Sequence, residues 1–165
     1  MIITDIIQQR RSVRRFKKEI PDDASIEKML EAARWAPSGL NNQPWRFIVI
    51  RDETEKKGVS QFAKQSHIIT NAPLIILVFL SLKGSYNRDK DLMGIGAAIQ
   101  NMLLEAHNSG LGTCWLGEIL SRKKEVSDYL NLDDTLELMA VVAVGYPDES
   151  PKGKRKPLRD LMVRR

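Results

Sequence analysis

The stretch from Asp91 to Ser109 constrains this chain more than any other. Its apolar residues, from Leu92 and Met93 through Ile95, Ala98, Ile99, Met102 and Leu103 to Ala106, cover nearly the whole circumference of a helix. A helix that is apolar all round has to be buried all round. A chain of 165 residues can build a core, but it has difficulty surrounding such a helix alone. Two readings follow: the central helix of a monomer or, the stronger one, a helix placed at a subunit interface. Gly94 and Gly96 weaken an isolated helix but allow close backbone approach to a partner helix or ligand.

The remaining elements can be read around this helix. Ile2, Ile3, Ile6 and Ile7 recur at helical spacing, predicting a first helix from about Thr4 to Arg10. Ile26, Met29, Leu30 and Ala33 define a second, which Pro37 stops near Ala36. Trp45–Arg51 alternates as a strand, and Glu53–Gln65 reads as a polar surface helix. Leu74–Ser81 is a branched apolar run suited to a central strand. After the long helix come a glycine stop, a short strand ending at Leu116, and a turn at Gly117. Ser121 is expected to cap a helix running to Leu130, with Val126, Tyr129 and Leu130 facing inward. Leu138–Val144 is the last strand. No repeat or linker divides the chain, so residues 1–165 read as one domain.

Charge is unevenly placed. The net charge is +5, yet Arg10–Lys18 alone carries six positive groups and Pro151–Arg165 a net six. Removing both segments leaves the rest at −7, so the basicity sits at the two ends around an acidic middle. In Arg10-Arg11-Ser12-Val13-Arg14-Arg15-Phe16, four guanidinium groups and a hydroxyl lie together, which is anion-binding chemistry. Two solvated basic segments are the bland alternative.

Several classes can be set aside. His67 and His107 lack metal-ligand spacing, and Cys114 reads as a buried small apolar residue rather than a nucleophile. Neither a P-loop nor a dinucleotide glycine fingerprint is present. The single cysteine excludes an internal disulfide, no run reaches membrane-span length, and the N-terminus lacks the order of a secretory signal. A cytoplasmic protein with no membrane partner is expected. With no evident acid–base set, an enzyme of this kind would let a cofactor do the chemistry.

Five motifs in order carry a resemblance. Arg-Arg-Ser-x-Arg-x-Phe, Ala-Pro-Ser-x-x-Asn-x-Gln-Pro-Trp, Gly-Leu-Gly-Thr-Cys-Trp-Leu-Gly, Val-Gly-Tyr-Pro and the Lys-Arg-Lys-Pro-Leu tail resemble the FMN-dependent nitroreductase superfamily. The resemblance spans essentially the whole chain. It implies an α+β fold, with a central mixed, mainly antiparallel sheet flanked by helices, in an intertwined homodimer with two FMN sites at the interface. It also implies a ping-pong NAD(P)H oxidoreductase, with NADH or NADPH as donor and a nitroaromatic, quinone or enone as the small-molecule acceptor.

Residue by residue, the resemblance places Arg10, Arg11 and Ser12 on the FMN phosphate, closed by Arg155 with Lys154 nearby. Arg14 falls at the pyrimidine edge of the flavin, where a fixed cation favours the reduced state. Pro37, Ser38, Gly39, Asn41 and Gln43 match the segment lying against the ring, partly from the second subunit. Asn41 and Gln43 offer amides to a heterocycle edge, while Pro37, Ser38 and Gly39 pack or use backbone groups. Leu116 and Gly117 match the turn beside the reactive N5, and no side chain is assigned a catalytic role. Arg15 is left unassigned.

One departure concerns the link Leu82–Lys90, which is short where larger members carry a helical insertion; a more open pocket is expected. An FMN enzyme of this fold with other chemistry, dehalogenation or ring oxidation, is the alternative. A non-enzymatic polyanion binder is the remote third, and no nucleic-acid partner is expected; the scarcity of aromatics beside Arg10–Arg15, Phe16 excepted, argues against single-strand recognition.

Overall fold

The computed structural model describes residues 2–164. Arg165, the last charge of the basic tail, lies outside them. The chain opens with α1, Ile3–Gln9, and α2, Asp23–Arg34. Asp22 starts α2 by accepting the Ser25 N–H at 2.7 Å, which satisfies one of the helix's free donors. Ile26, Met29 and Ala33 form its buried face, as their spacing requires. Strand β1, Trp45–Ile50, follows the proline-bounded loop, then α3, Glu53–Ser60, and α4, Ser66–Asn71. The expected helix over 53–65 therefore stops at Ser60. A short turn separates it from α4, which packs Ile68 and Ile69 into the core.

Strand β2, Leu74–Ser81, is buried at every position, and α5, Arg88–Asn108, begins at Asn87, whose side chain accepts the Lys90 N–H at 3.1 Å. Strand β3, Gly112–Leu116, leads through a 3-10 turn at Glu118–Arg122 into α6, Lys123–Tyr129. Ser121 is not the cap of that helix; it lies inside the 3-10 turn and bonds the Glu118 carbonyl at 3.0 Å. Val126 faces inward, but Tyr129 is largely exposed and packs its ring near Phe62. Strand β4, Leu136–Gly145, completes a sheet of order β1-β2-β4-β3.

All the strand pairings are antiparallel, and the parallel pairing among the described residues is the isolated bridge Ser12–Thr113. Alternation along β2 and β4 splits the core in two. Leu74, Ile76, Val78 and Leu80 meet α2 and α5, while Ile75, Leu77 and Phe79 meet the layer of α3, α4 and α6. A register shift at Val78–Phe79 leaves Met139 unpaired, so Met139 and Ala140 both face the α2–α5 layer.

The long helix departs from expectation in an informative way. Ile95, Ala98, Ile99, Met102, Leu103 and Ala106 are buried, but the opposite face is not: Met93 is 73% exposed and Leu92 also lies open. One chain thus covers only one side of a helix whose other side is also apolar. Gly94 packs against this chain's own Pro37–Ser38 loop rather than a partner helix or ligand, with the Pro37 carbonyl 3.4 Å from where a Cβ would sit, whereas Gly96 faces open space.

Candidate functional site

The sequence-expected residues gather in two groups rather than one. The first lies along the outer edge of β3. Ser12 bridges Thr113, and the Val13 N–H donates to the Thr113 carbonyl at 2.9 Å. Phe16 bridges Pro147 just beyond β4. The segment Arg10–Phe16 is thereby strapped to the sheet with Val13 and Phe16 buried, which turns Arg14 and Arg15 outward. Glu149 fastens the strap: one carboxylate oxygen accepts the Arg14 N–H at 2.6 Å and the Arg15 N–H at 3.2 Å. Its other oxygen lies 3.3 Å from Arg15 Nε. Those backbone donors, with the nearby Arg15 charge, hold the Glu149 carboxyl below the usual range. Arg15 therefore has a structural partner.

Arg10 and Arg11 stand at the start of this strap, beside the C-terminal end of α5. Arg11 Nη1 donates to the Gln8 carbonyl at 2.6 Å and the Arg10 carbonyl at 2.8 Å. The tail returns to them: Gly153 lies so near that a Cβ there would sit 3.2 Å from Arg11 Nε and 3.5 Å from Arg155 Nη1. Burial, with Arg155 and Arg11 as neighbours, lowers the Arg10 pKa, although arginine stays protonated throughout the ordinary range. Among the described residues no carboxylate pairs with Arg10, Arg11 or Arg155. Lys154 is exposed on the same tail and lends its carbonyl to Arg155 at 3.0 Å. A cleft of about 300 Å³ opens here between Arg10, Arg11, His107, Gly112 and Glu149. Like charges crowded without a counter-ion favour an incoming anion.

The same edge ends at Leu116 and Gly117. Leu116 is buried, whereas Gly117 is exposed and has nothing nearer than Trp115 Nε1, 4.0 Å from a hypothetical Cβ. Glu118 anchors the turn by accepting the Lys64 and Gln65 N–H groups at 3.0 and 3.1 Å. Cys114 is buried beneath the edge, and burial raises its thiol pKa, so it is a poor nucleophile.

The second group is the loop from Pro37 to Gln43. Gly39–Asn41 forms a single 3-10 turn, and Leu40, Asn41 and Gln43 take φ of 53, 55 and 46°. Three non-glycine residues in the left-handed region cost roughly 3 kcal/mol together. Hydrogen bonds offset that strain. Ser38 Oγ accepts the Gln43 N–H at 3.0 Å, the Ser38 carbonyl accepts the Asn41 N–H at 3.1 Å, and Gln43 Nε2 donates to the Asn41 carbonyl at 3.2 Å. Asn42 Nδ2 donates to the buried Asp91 at 2.6 Å, a charge-assisted bond of about 1.5–3 kcal/mol. Pro37, Ser38 and Gly39 line a shallow apolar groove with Met93, Gly94 and Ala97, on the uncovered side of α5.

These two groups do not meet within one chain. The loop feeds β1 at one margin of the sheet, and Leu116–Gly117 ends β3 at the other, three strand spacings or about 14 Å away. Along α5 the loop packs at Gly94 and the arginines at His107, about 20 Å apart. A separate open groove of about 1000 Å³ lies between α2 and β1 around Trp35, Trp45 and Phe47.

Some contributors carried no local signal in the sequence. Glu149, Asp91 and Glu118 act through partners 49 to 135 residues away. His107 lies against the arginines with Nε2 buried and without a hydrogen-bond partner among the described residues; burial, then Arg10 and Arg11, lower its pKa. Among the described residues no group of His, Cys, Asp and Glu could hold a metal ion, and no helix is long and apolar enough to cross a membrane.

Comparison with known proteins places this arrangement. Residues 7–146 match the family model "Nitroreductase family", so the chain belongs to that family. It is 42% identical to a candidate nitroreductase from Desulfovibrio desulfuricans in complex with FMN, with TM-score 0.97 over 100% of this chain and 97% of that one. It is 34% identical to the Bacillus subtilis protein YfhC, named as a candidate NAD(P)H nitroreductase, over 96% of this chain and 92% of that protein. An iodotyrosine deiodinase from Thermotoga neapolitana is 29% identical over 99% and 97%.

Proposed function

We propose that this protein is an FMN-dependent NAD(P)H oxidoreductase acting as a homodimer. The observation that carries this reading is the arginine cluster, unpaired with any carboxylate among the described residues and set on the same strap and edge as Arg14, Leu116 and Gly117. These residues fit the cofactor. Arg10, Arg11 and Ser12, with Arg155 and Lys154 from the tail, suit a phosphate, which guanidinium forks bind through paired donors. Arg14 supplies a fixed cation further along the strap, suited to the pyrimidine edge of the ring. Leu116 gives an apolar floor, and Gly117 leaves room for a donor or acceptor beside it.

The amides of Asn41 and Gln43 suit the donor and acceptor pattern of a flavin edge. Because their loop lies across the sheet from the arginines, we assign them to the site of the second subunit, with Pro37, Ser38 and Gly39 packing beneath. Three features favour that partner. The uncovered apolar face of α5 and the Trp35 groove each need a cover, Trp35 being 74% exposed. The tail bearing Leu158, Leu161 and Met162 is exposed, and β1 presents an unpaired edge. An exchanged tail would intertwine the two chains, all of each chain serving as one flavin-binding domain.

Bound here, FMN would supply ping-pong hydride transfer from NADH or NADPH to a small organic acceptor such as a nitroaromatic, quinone or enone. The side chains bind, orient and tune; none is required as acid or base. The buried, reduced Cys114 fits a cytoplasmic setting.

The test is spectroscopic. Purified protein should be yellow, and NADH or NADPH should bleach it anaerobically until an acceptor restores the colour. A colourless protein that takes up no added FMN would refute the reading. The deiodinase relative supports a second chemistry, reductive dehalogenation on the same cofactor. It predicts halide release from a halophenol by the reduced protein, with nitroaromatics turned over poorly.

A further inference from the structure

The amide loop is held by a network that the chemistry above does not use. Asp91 is 0% exposed, at the first turn of α5, where the helix's positive end favours a carboxylate. Both oxygens are engaged: Asn42 Nδ2 donates to one at 2.6 Å and Ser85 Oγ to the other at 2.6 Å. Asn42 stands between the left-handed residues Asn41 and Gln43. Ser85 belongs to the link before α5, and its neighbour Tyr86 lies over Gly39 so closely that a Cβ there would sit 1.7 Å from the hydroxyl. One carboxylate therefore ties loop, link and helix together.

The orientation of this network is set by charge. Asn42 Oδ1 is buried without a hydrogen-bond partner among the described residues, so the side chain is committed through its nitrogen alone. A flipped amide would aim its oxygen at a carboxylate, which is repulsive. A buried carboxylate is also expensive in general, and an apolar residue of similar size would pack there more cheaply. What the carboxylate adds is direction: it can accept from the loop on one side and the link on the other.

We propose that Asp91 is a positioning residue for the flavin ring. Through Asn42 and Ser85 it holds the backbone in which Asn41 and Gln43 present their amides, and so shapes the ring's surroundings without touching it. The short link at 82–87 then acts as a buttress for the amide loop, besides leaving the pocket without a helical insertion. This rests on the assignment of that loop to the flavin.

The experiment measures the FMN dissociation constant and the visible circular dichroism of bound flavin, alongside the thermal midpoint of flavin-free protein. The variants are Ser85→Ala, Asp91→Asn, Asn42→Asp and the exchange Asp91→Asn with Asn42→Asp. Ser85→Ala and Asp91→Asn should weaken FMN by about 3- to 30-fold and alter the dichroism, since only part of the loss of a hydrogen bond to a charged group is passed on to the flavin. Asn42→Asp sets two carboxylates face to face and should weaken it more. The exchange restores an amide–carboxylate pair, and should return affinity and dichroism towards wild type.

Wild-type affinity and dichroism in Ser85→Ala and Asp91→Asn, even with a lower thermal midpoint, would overturn the proposal; Asp91 would then hold only the fold. Should Asp91→Asn fail to fold, Ser85→Ala, at a half-buried residue of an otherwise exposed link, still decides. Asn41→Ala and Gln43→Ala separate this proposal from the reading it rests on. If they change the flavin signals while Ser85→Ala and Asp91→Asn do not, the loop assignment stands and the positioning role falls. If they too leave the signals unchanged, both fall.

Discussion

At the C-terminal end of α5 three arginines crowd together with no paired carboxylate among the described residues; at its N-terminal end a buried carboxylate is fully satisfied and the strain lies in the backbone. Both regions are prepared for a ligand, but by different means. The arginine end stores repulsion that an anion relieves, so its contribution should weaken as salt screens it. The loop end stores geometry: its conformational cost is already met by hydrogen bonds to Ser38 and Asp91 and changes little with ionic strength. Affinity for a phosphate-bearing cofactor is expected chiefly from the first end, and the electronic environment of its ring from both.

The comparison can be broken most severely at Arg10. Arg10→Ala should weaken FMN by roughly 10- to 100-fold, the loss of charged hydrogen bonds to phosphate, with a shallower salt dependence. Titration of flavin fluorescence at two ionic strengths checks this; unchanged affinity would remove Arg10 from the phosphate site. A smaller effect is expected from a paired methyl scan. Gly39→Ala places a Cβ 1.7 Å from the Tyr86 hydroxyl, whereas Gly153→Ala meets the Arg11 side chain at 3.2 Å and Arg155 Nη1 at 3.5 Å, contacts that a small side-chain shift relieves. Loop geometry being the rigid half, Gly39→Ala should reduce FMN affinity by about tenfold and Gly153→Ala by less than about twofold. Adding Tyr86→Ala should recover most of the first loss.

The smallest effect concerns pH. His107 has its pKa lowered from 6.5 in the folded protein by burial, then by Arg10 and Arg11. The unfolded chain therefore binds the proton more readily. The associated stability is complete above 6.5 and is lost as pH falls through the lowered folded value. Thermal midpoints of flavin-free protein should decline on acidification below 6.5, and His107→Asn should flatten that decline. An identical decline in the variant would assign it to other groups.

Much of this was legible in the chain. The period-two and continuous apolar runs located β1, β2 and β4, and periodicity located α2 and α5, because those signals are local. Charge placement marked the two ends of the chain as basic, and the family resemblance then paired Arg155 with Arg10 and Arg11. What escaped was set by distance or brevity. The six-residue α4 is too short to show a period, and Ser121 looked like a cap but folded into a 3-10 turn. Asp91 served only to mark the start of the long helix, since Asn42, its hydrogen-bond donor from the loop, is 49 residues away. The apolar girdle of α5 was read correctly as a pattern, yet one chain covers only part of it.

The central claim is that one flavin site takes its arginines from one chain and its amide loop from another. Co-expression of an Arg10→Ala, Arg155→Ala chain with an Asn41→Ala, Gln43→Ala chain tests it directly, once the mixed dimer is isolated by two affinity tags. Each variant alone should bind FMN poorly. The mixed dimer should regain one tight site for every two chains, because its wild-type arginines and wild-type loop meet across the interface. Flavin binding in the mixed dimer no better than in either parent would contradict a shared site and place both groups on the same chain's cofactor.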